Sequence, residues 1–272
     1  TGMKVTRIAI ALLLGSLVGA CAGKKDANET YVERPVNAIY NQAVNALEAE
    51  NYLAAAELFD EVERQHPYSI WATKAQLMAG YANYEANKYG DALISLNRFI
   101  QLHPGNQDVP YAFYLKALSY YEQISDVSRD QSITEKALTS LQDVIRRFPT
   151  SKYARDARLK LDLTTDHLAG KEMAIGRFYL RKGEFLAAIN RFKQVVDKYQ
   201  TTSHIPEALH RLSEAYSAVG LENEAKEAAS VLGHNYPGSE WYIDSYALVT
   251  GKDIRDKPEE KGFFARAWDW AF

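Results

Sequence analysis

A single cysteine, Cys21, occurs among 272 residues. No disulfide can therefore form within the chain, and its stability has to come from packing. Long apolar runs are also missing. The uncharged stretch from Ile8 to Ala20 falls short of the roughly 20 residues a membrane-spanning helix needs. Basic charge is not in excess, since 32 Lys and Arg stand against 35 Asp and Glu. That balance argues against nucleic-acid binding, which relies on basic patches. The six histidines, His66, His103, His167, His204, His210 and His234, form no His-Glu-x-x-His pair, and no Cys-based ligand set exists. A phosphate-binding glycine loop and a Gly-x-Ser-x-Gly elbow are likewise absent. Carboxylates scattered over helix surfaces do not make an enzyme, so the expectation is a protein with no catalysis, no metal and no cofactor.

What is present begins at the N-terminus. Thr1 and Gly2 precede Met3 and read as a cloning scar or a mis-assigned start. Lys4 and Arg7 then form a basic region ahead of the short apolar run, the layout of a signal peptide over residues 1–20. Its end, Leu17-Val18-Gly19-Ala20-Cys21, resembles the bacterial lipobox. The expected fate of Cys21 is cleavage before it and acylation of both its thiol and its new amino terminus. Each acyl chain contributes about 0.8 kcal/mol per buried CH₂, and two or more make a stable anchor. Ala22 stands where Asp signals inner-membrane retention in many Gram-negative lipoproteins, which favours the outer membrane. Loss of Lys4 and Arg7 takes the formal charge from −3 to −5. Residues 21–35 are polar up to Pro35 and read as a tether reaching about 20 Å.

Beyond Pro35 the chain repeats itself. Five segments end alike: FDEVERQHP at Pro67, LNRFIQLHP at Pro104, LQDVIRRFP at Pro149, FKQVVDKYQ at Gln200 and ASVLGHNYP at Pro237. Twelve residues before each end stands an alanine, Ala55, Ala92, Ala137, Ala188 or Ala225. Twelve further back lie Ala43, Gly80, Gly176 and Ser213, with Ala117 in that role after an eight-residue insertion around SDVSRDQS. Such spacing predicts antiparallel helix hairpins that meet through small residues, Gly or Ala on the first helix facing Ala on the second. Phe59, Leu96, Leu141 and Phe192, with Val62, Phe99, Val144, Val195 and Leu232, would fill the layers between hairpins. The terminal proline closes each unit, which makes His66 and His103 structural by position. Tyr52, Tyr89 and Phe185 would be wedges at the turns. The pattern resembles the tetratricopeptide repeat. The fourth segment fits best, through Gly176, Tyr179, Ala188 and Phe192, and departs at Gln200.

The predicted fold is thus all-α, a right-handed α-solenoid of about five hairpins: repeats 1–3 over residues 36–150, and a long middle helix with repeats 4–5 over 151–250. The interval before Gln200 is 51 residues against 37 in the first and last intervals, an excess of 14. One helix from Lys152 to Lys182 would absorb it, with Gly170 as its weakest point. The first helices would line a groove suited to extended or helical peptides. They carry Tyr40, Tyr81, Tyr84, Tyr111, Tyr114, Tyr120 and Tyr121. Packing between repeats accounts for most of these tyrosines; Tyr81, Tyr84, Tyr111 and Tyr114 are the candidate groove surface, each offering a flat apolar face with a hydroxyl handle.

The lipobox, the tether and the ordered segments NAIYNQA, NRFIQLHP and VPYAFYLKAL together resemble the BamD (ComL) family, lipoproteins of the outer-membrane β-barrel assembly machinery. The resemblance runs from about Val36 to Val249. It implies a scaffold on the periplasmic face of the outer membrane, whose C-terminal repeats dock on the POTRA domains of a BamA-type barrel beside other lipoproteins. It also implies an N-terminal pocket for segments of unfolded barrel proteins. Carried onto RFYLRKGEFLAAINRF, it places Phe178 and Tyr179 as aromatic contacts and Arg191 as a contact to a partner carboxylate. Phe178 stands where the family often has Tyr, and Tyr179 is also a repeat packing position. A generic repeat lipoprotein serving peptidoglycan or cell-division enzymes is the alternative.

The tail, residues 251–272, extends past the resemblance. In EEKGFFARAWDWAF a helical period puts Phe263, Phe264, Ala267, Trp268, Ala271 and Phe272 on one face, fit to dock on a partner or a membrane interface. A period of two instead aligns Trp268, Trp270 and Phe272, like the C-terminal signal of a barrel substrate. Such a tail could occupy the protein's own groove, or a neighbour's, as a pseudo-substrate.

Overall fold

A computed structural model of the chain describes residues 33–252. Among them are eleven α-helices and no strand, as the repeat pattern requires. They form successive hairpins: α1 (Val36–Glu48) with α2 (Tyr52–Gln65), α3 (Ile70–Glu85) with α4 (Tyr89–Leu102), and α5 (Val109–Tyr121) with α6 (Ser132–Arg147). Next come α7 (Lys152–Arg181) with α8 (Phe185–Lys198), α9 (Ile205–Ala218) with α10 (Glu222–Asn235), and a closing helix α11 (Glu240–Thr250).

Each unit ends in the same turn. The residues before the five end points, His66, His103, Phe148, Tyr199 and Tyr236, have φ between −125° and −135° and ψ between 42° and 58°. Their N–H groups close the preceding helix on Val62, Phe99, Val144, Val195 and Leu232, and each of their carbonyls accepts an N–H from three residues on. At Tyr199 that turn forms without proline. There the Tyr199 carbonyl accepts both the N–H of Thr202, at 3.1 Å, and its hydroxyl, at 2.8 Å. The opposite tips close with a bond from the third residue past the helix back to the fifth before it, as from Asn51 to Ala46 and from Lys88 to Asn83. These tips need a left-handed residue. Gly183 and Gly220 supply it in the C-terminal half, Glu50 and Asn87 in the N-terminal half.

The residues assigned to the layers between hairpins are all buried, with Phe59, Phe99, Phe192 and Leu96 among the largest. The small positions behave less simply than expected. Ser213 does face its alanine, donating to the carbonyl of Ala225 at 2.9 Å. A Cβ at Gly80, however, would lie 2.7 Å from Cδ2 of Leu96, and one at Gly176 would fall on the ring of Phe192. In those hairpins the glycine admits the large residue one turn beyond the alanine. Tyr40 is one of the tyrosines that serve packing between repeats: it is buried, with its ring 5.5 Å from Phe59 and 4.7 Å from Trp71.

The long helix α7 ends one residue earlier than expected and spans 30 residues, about 45 Å at 1.5 Å per residue. Its first half packs with Ala117, Leu141 and Val144 of the third hairpin through Ala157, and its second half joins the C-terminal core through Ala169 and Met173. Gly170 does not interrupt it. A Cβ there would meet Nε2 of His204 at 3.3 Å and Val127 at 3.7 Å. The glycine sits where the α5–α6 insertion and the α8–α9 turn converge on the helix.

Candidate functional site

The first helices of successive units touch along one side, α1 with α3, α3 with α5, and α5 with α7. Tyrosines fall on this side because residues three apart, as Tyr81 and Tyr84 or Tyr111 and Tyr114 are, share a helix face. Tyr81, Tyr84, Tyr111 and Tyr114 are each half-buried and packed on the core formed by Leu77, Leu96, Phe99 and Leu115. Tyr153, at the start of α7, completes the strip. Its ring stacks on Tyr114 with centroids 5.1 Å apart and lies 5.5 Å from Tyr111. At the other end the rings of Tyr84 and Tyr89 are 5.8 Å apart. The four predicted residues thus form one surface.

Burial and neighbouring carboxylates keep the hydroxyls of the strip neutral. Burial pushes the Tyr84 hydroxyl up to about 12, helped by the carboxylate of Glu122, by Tyr89 and by Glu85. Burial also raises Tyr111, with Tyr81 and Tyr153 adding to the effect, and Tyr81, with Glu85 adding. Tyr114 is raised first by burial and then by its hydrogen bond to Asp156, where the hydroxyl donates to Oδ2 at 2.6 Å. That bond in turn holds the Asp156 carboxyl below its usual range, with Lys160 assisting from 3.1 Å. The hydroxyl of Tyr114 is therefore already spent inside the chain. What the strip offers a ligand is chiefly its ring faces.

The second predicted site lies along α7 and α8. Phe178 is 45% exposed, with the Lys182 ammonium 4.6 Å over its ring and its edge against Tyr179. Leu186, at 68% exposure, extends the apolar surface at this hairpin tip. Tyr179 is partly buried against the C-terminal core, as a repeat packing position should be. Arg191 lies nearer the middle of the hairpin, where Nη1 is 3.0 Å from Oε2 of Glu172. With Glu172 it lines a cavity shared with Arg129, Asp130 and Lys171, and the Lys171 ammonium donates to the carbonyl of Arg129 at 3.2 Å. The insertion loop is thereby pinned to the long helix beside Arg191. Cys21 and the tail residues Phe263, Phe264, Trp268, Trp270 and Phe272 lie outside the described residues.

Comparison with known proteins supplies the family. The model of a family described as an outer membrane lipoprotein, YfiO, matches residues 32–232. Outer membrane protein assembly factor BamD of Caulobacter vibrioides is 52% identical over 92% of this chain and 82% of its own length. The BamD of Rickettsia prowazekii is 51% identical over 91% of this chain and 98% of its own. The chain belongs to the BamD family of outer membrane lipoproteins. BamD of a Neisseria meningitidis strain, at 32% identity over 86% of this chain and 92% of its own, extends the family to a more distant relative. Two solved tetratricopeptide structures are also similar. They are the TPR2AB domain of yeast Sti1, at 13% identity, covering 79% of this chain and 81% of its own with TM-score 0.41, and the P58(IPK) TPR domain, at 15% identity, covering 85% and 63% with TM-score 0.41.

Membership of the BamD family makes the chain an outer-membrane assembly factor rather than a generic periplasmic adaptor, with partners inside that machinery. The residues that periodicity missed are two apolar surfaces, the Tyr153 ring in the strip and Leu186 near Phe178, and four carboxylates, Glu85, Glu122 and Asp156 beside the strip and Glu172 beside Arg191. Glu85 and Glu122 do recur: with Glu48 they stand at intervals of 37 residues, each at the end of a first helix, so the spacing carried a signal for these two.

Proposed function

We propose that this chain is a non-catalytic scaffold of the barrel assembly machinery, anchored by lipid on Cys21 to the periplasmic face of the outer membrane and needing no other cofactor. Its first three hairpins receive extended segments of unfolded barrel proteins, or of another subunit. Its fourth and fifth hairpins hold the POTRA region of a BamA-type barrel through Phe178, Tyr179 and Arg191. The observation that carries this reading is the unbroken strip of half-buried tyrosines across α3, α5 and α7. A strip of rigid rings on the inner side of a hairpin array suits an extended chain, whose apolar side chains can lie on ring faces at little entropic cost.

The test uses the full-length lipoprotein in outer membranes. A photo-reactive residue at position 111 or 114 should crosslink to nascent barrel proteins or to a companion lipoprotein, and Arg191→Glu should lose the barrel partner on detergent co-purification. Crosslinks only at the outer helices, with the partner retained by Arg191→Glu, would overturn the assignment.

A further inference from the structure

Around the α1–α2 and α3–α4 tips the strip changes character. Glu85 is the last residue of α3, half-buried, and its carboxylate acts on the hydroxyls of Tyr52, Tyr81, Tyr84 and Tyr89. Glu122, the residue after α5, acts on two of these, Tyr84 and Tyr89, whose rings are 5.8 Å apart, and comes within hydrogen-bonding range of the Tyr84 hydroxyl. Among the described residues neither carboxylate has an ion-pair partner, and no Lys or Arg lies over any of these four rings. The contrast within the strip is informative. At its other end the chain supplies its own cations, with Lys152 at 5.2 Å over Tyr153, Lys160 at 5.4 Å over Tyr121, and Lys160 paired with Asp156. Lys88, next along the chain, lines a separate cavity with Glu57, Asp60 and Asp91. The terminal carbonyls of α3 add partial negative charge at Glu85.

We infer that this corner of the groove is a receptor for a cationic side chain, an arginine of an extended polypeptide, whose guanidinium stacks on the tyrosine rings and pairs with Glu85 and Glu122. Planarity and fixed charge make arginine the best fit: it can lie on a ring face and still present donors in its plane to a carboxylate. An acidic segment would meet two uncompensated carboxylates and be rejected. The inference rests on the groove reading above and adds to it a preference for charge.

Four synthetic peptides, each with an aromatic C-terminus and one arginine moved along the interior, are titrated by fluorescence anisotropy against the full lipoprotein in detergent. Each is paired with its citrulline counterpart, which keeps the shape and removes the charge. At least one arginine peptide should bind about tenfold tighter than its citrulline partner. In Glu85→Gln/Glu122→Gln, with an unchanged melting curve, that ratio should fall to within about twofold while citrulline binding is unaltered. Salt should shrink the ratio in the wild type but not in the variant. Equal binding of arginine and citrulline peptides, or a ratio that survives in the variant, overturns the inference. If both peptides then weaken together in Tyr111→Ala, the groove itself stands; if no peptide binds at all, the groove reading and this inference fail together.

Discussion

A tyrosine hydroxyl without a partner would be costly in the half-buried strip, which is why the Tyr114–Asp156 bond matters beyond its length. Tyr114→Phe should lower stability by about 0.5–1.5 kcal/mol in a denaturant melt, while sparing the ring stack on Tyr153. The strip also carries a pH signature. Its tyrosines are stabilised in the neutral form, so their contribution is full below the ordinary value of 10.0 and is lost as pH rises toward about 12 at Tyr84. Ultraviolet titration should therefore show these tyrosinates appearing late and together with loss of helix. Glycines separate in the same residue-by-residue way. Gly176→Ala gains about 1 kcal/mol of helix propensity but drives a methyl onto the buried ring of Phe192, a cost of about 1–3 kcal/mol, and should lower the melting temperature. Gly90→Ala, with nothing near its Cβ position, should raise it.

At the scale of elements, the unit turn is a property of the fold and not of the proline. Tyr199 adopts the pre-proline conformation of the other four units although Gln200 follows it, and Thr202 holds its carbonyl twice. Gln200→Pro should accordingly be tolerated and add about 0.4–1 kcal/mol by restricting the unfolded chain, read as a higher midpoint in urea. Helix α11 depends on a different device. His210 is buried on α9, with Nδ1 2.9 Å from the hydroxyl of Ser245 and its ring 5.2 Å from Trp241. Burial, with Arg211 beside it, lowers its pKa, against the opposing pull of Glu214, Asp244 and Glu207. A histidine held neutral contributes fully above the ordinary value of 6.5, and the contribution is lost as pH falls below it. Hydrogen-exchange protection in α11, taken relative to the intrinsic rate at each pH, should fall on acidification from pH 7 to 5, and less so in His210→Gln. The hairpins, their turns and the length of α7 were legible in the sequence because each follows from spacing. The packing partners of Gly80, Gly170 and Gly176 were not, since they depend on which turn of a neighbouring helix comes opposite.

For the molecule as a whole, the two halves meet where α7 passes the α5–α6 insertion, and Arg191 stands at that junction. Its pairing with Glu172 bears directly on how a partner would dock. The side chain of Glu172 is 16% exposed and that of Arg191 36%, so the pair is screened on one side only and contributes at most about 1 kcal/mol. A partner carboxylate approaching Arg191 must share or displace Glu172, a competition that weakens docking without abolishing it. Glu172→Gln removes the competitor and keeps the shape. It should cost little in the melting curve yet strengthen capture of the BamA-type partner several-fold on co-purification. Arg191→Glu should lose that partner, and the double variant should resemble Arg191→Glu because nothing is left to release. If Glu172→Gln instead weakens capture as Arg191→Glu does, the ion pair is needed intact to shape the junction, and the partner reads the surface around Phe178 and Leu186 rather than the guanidinium.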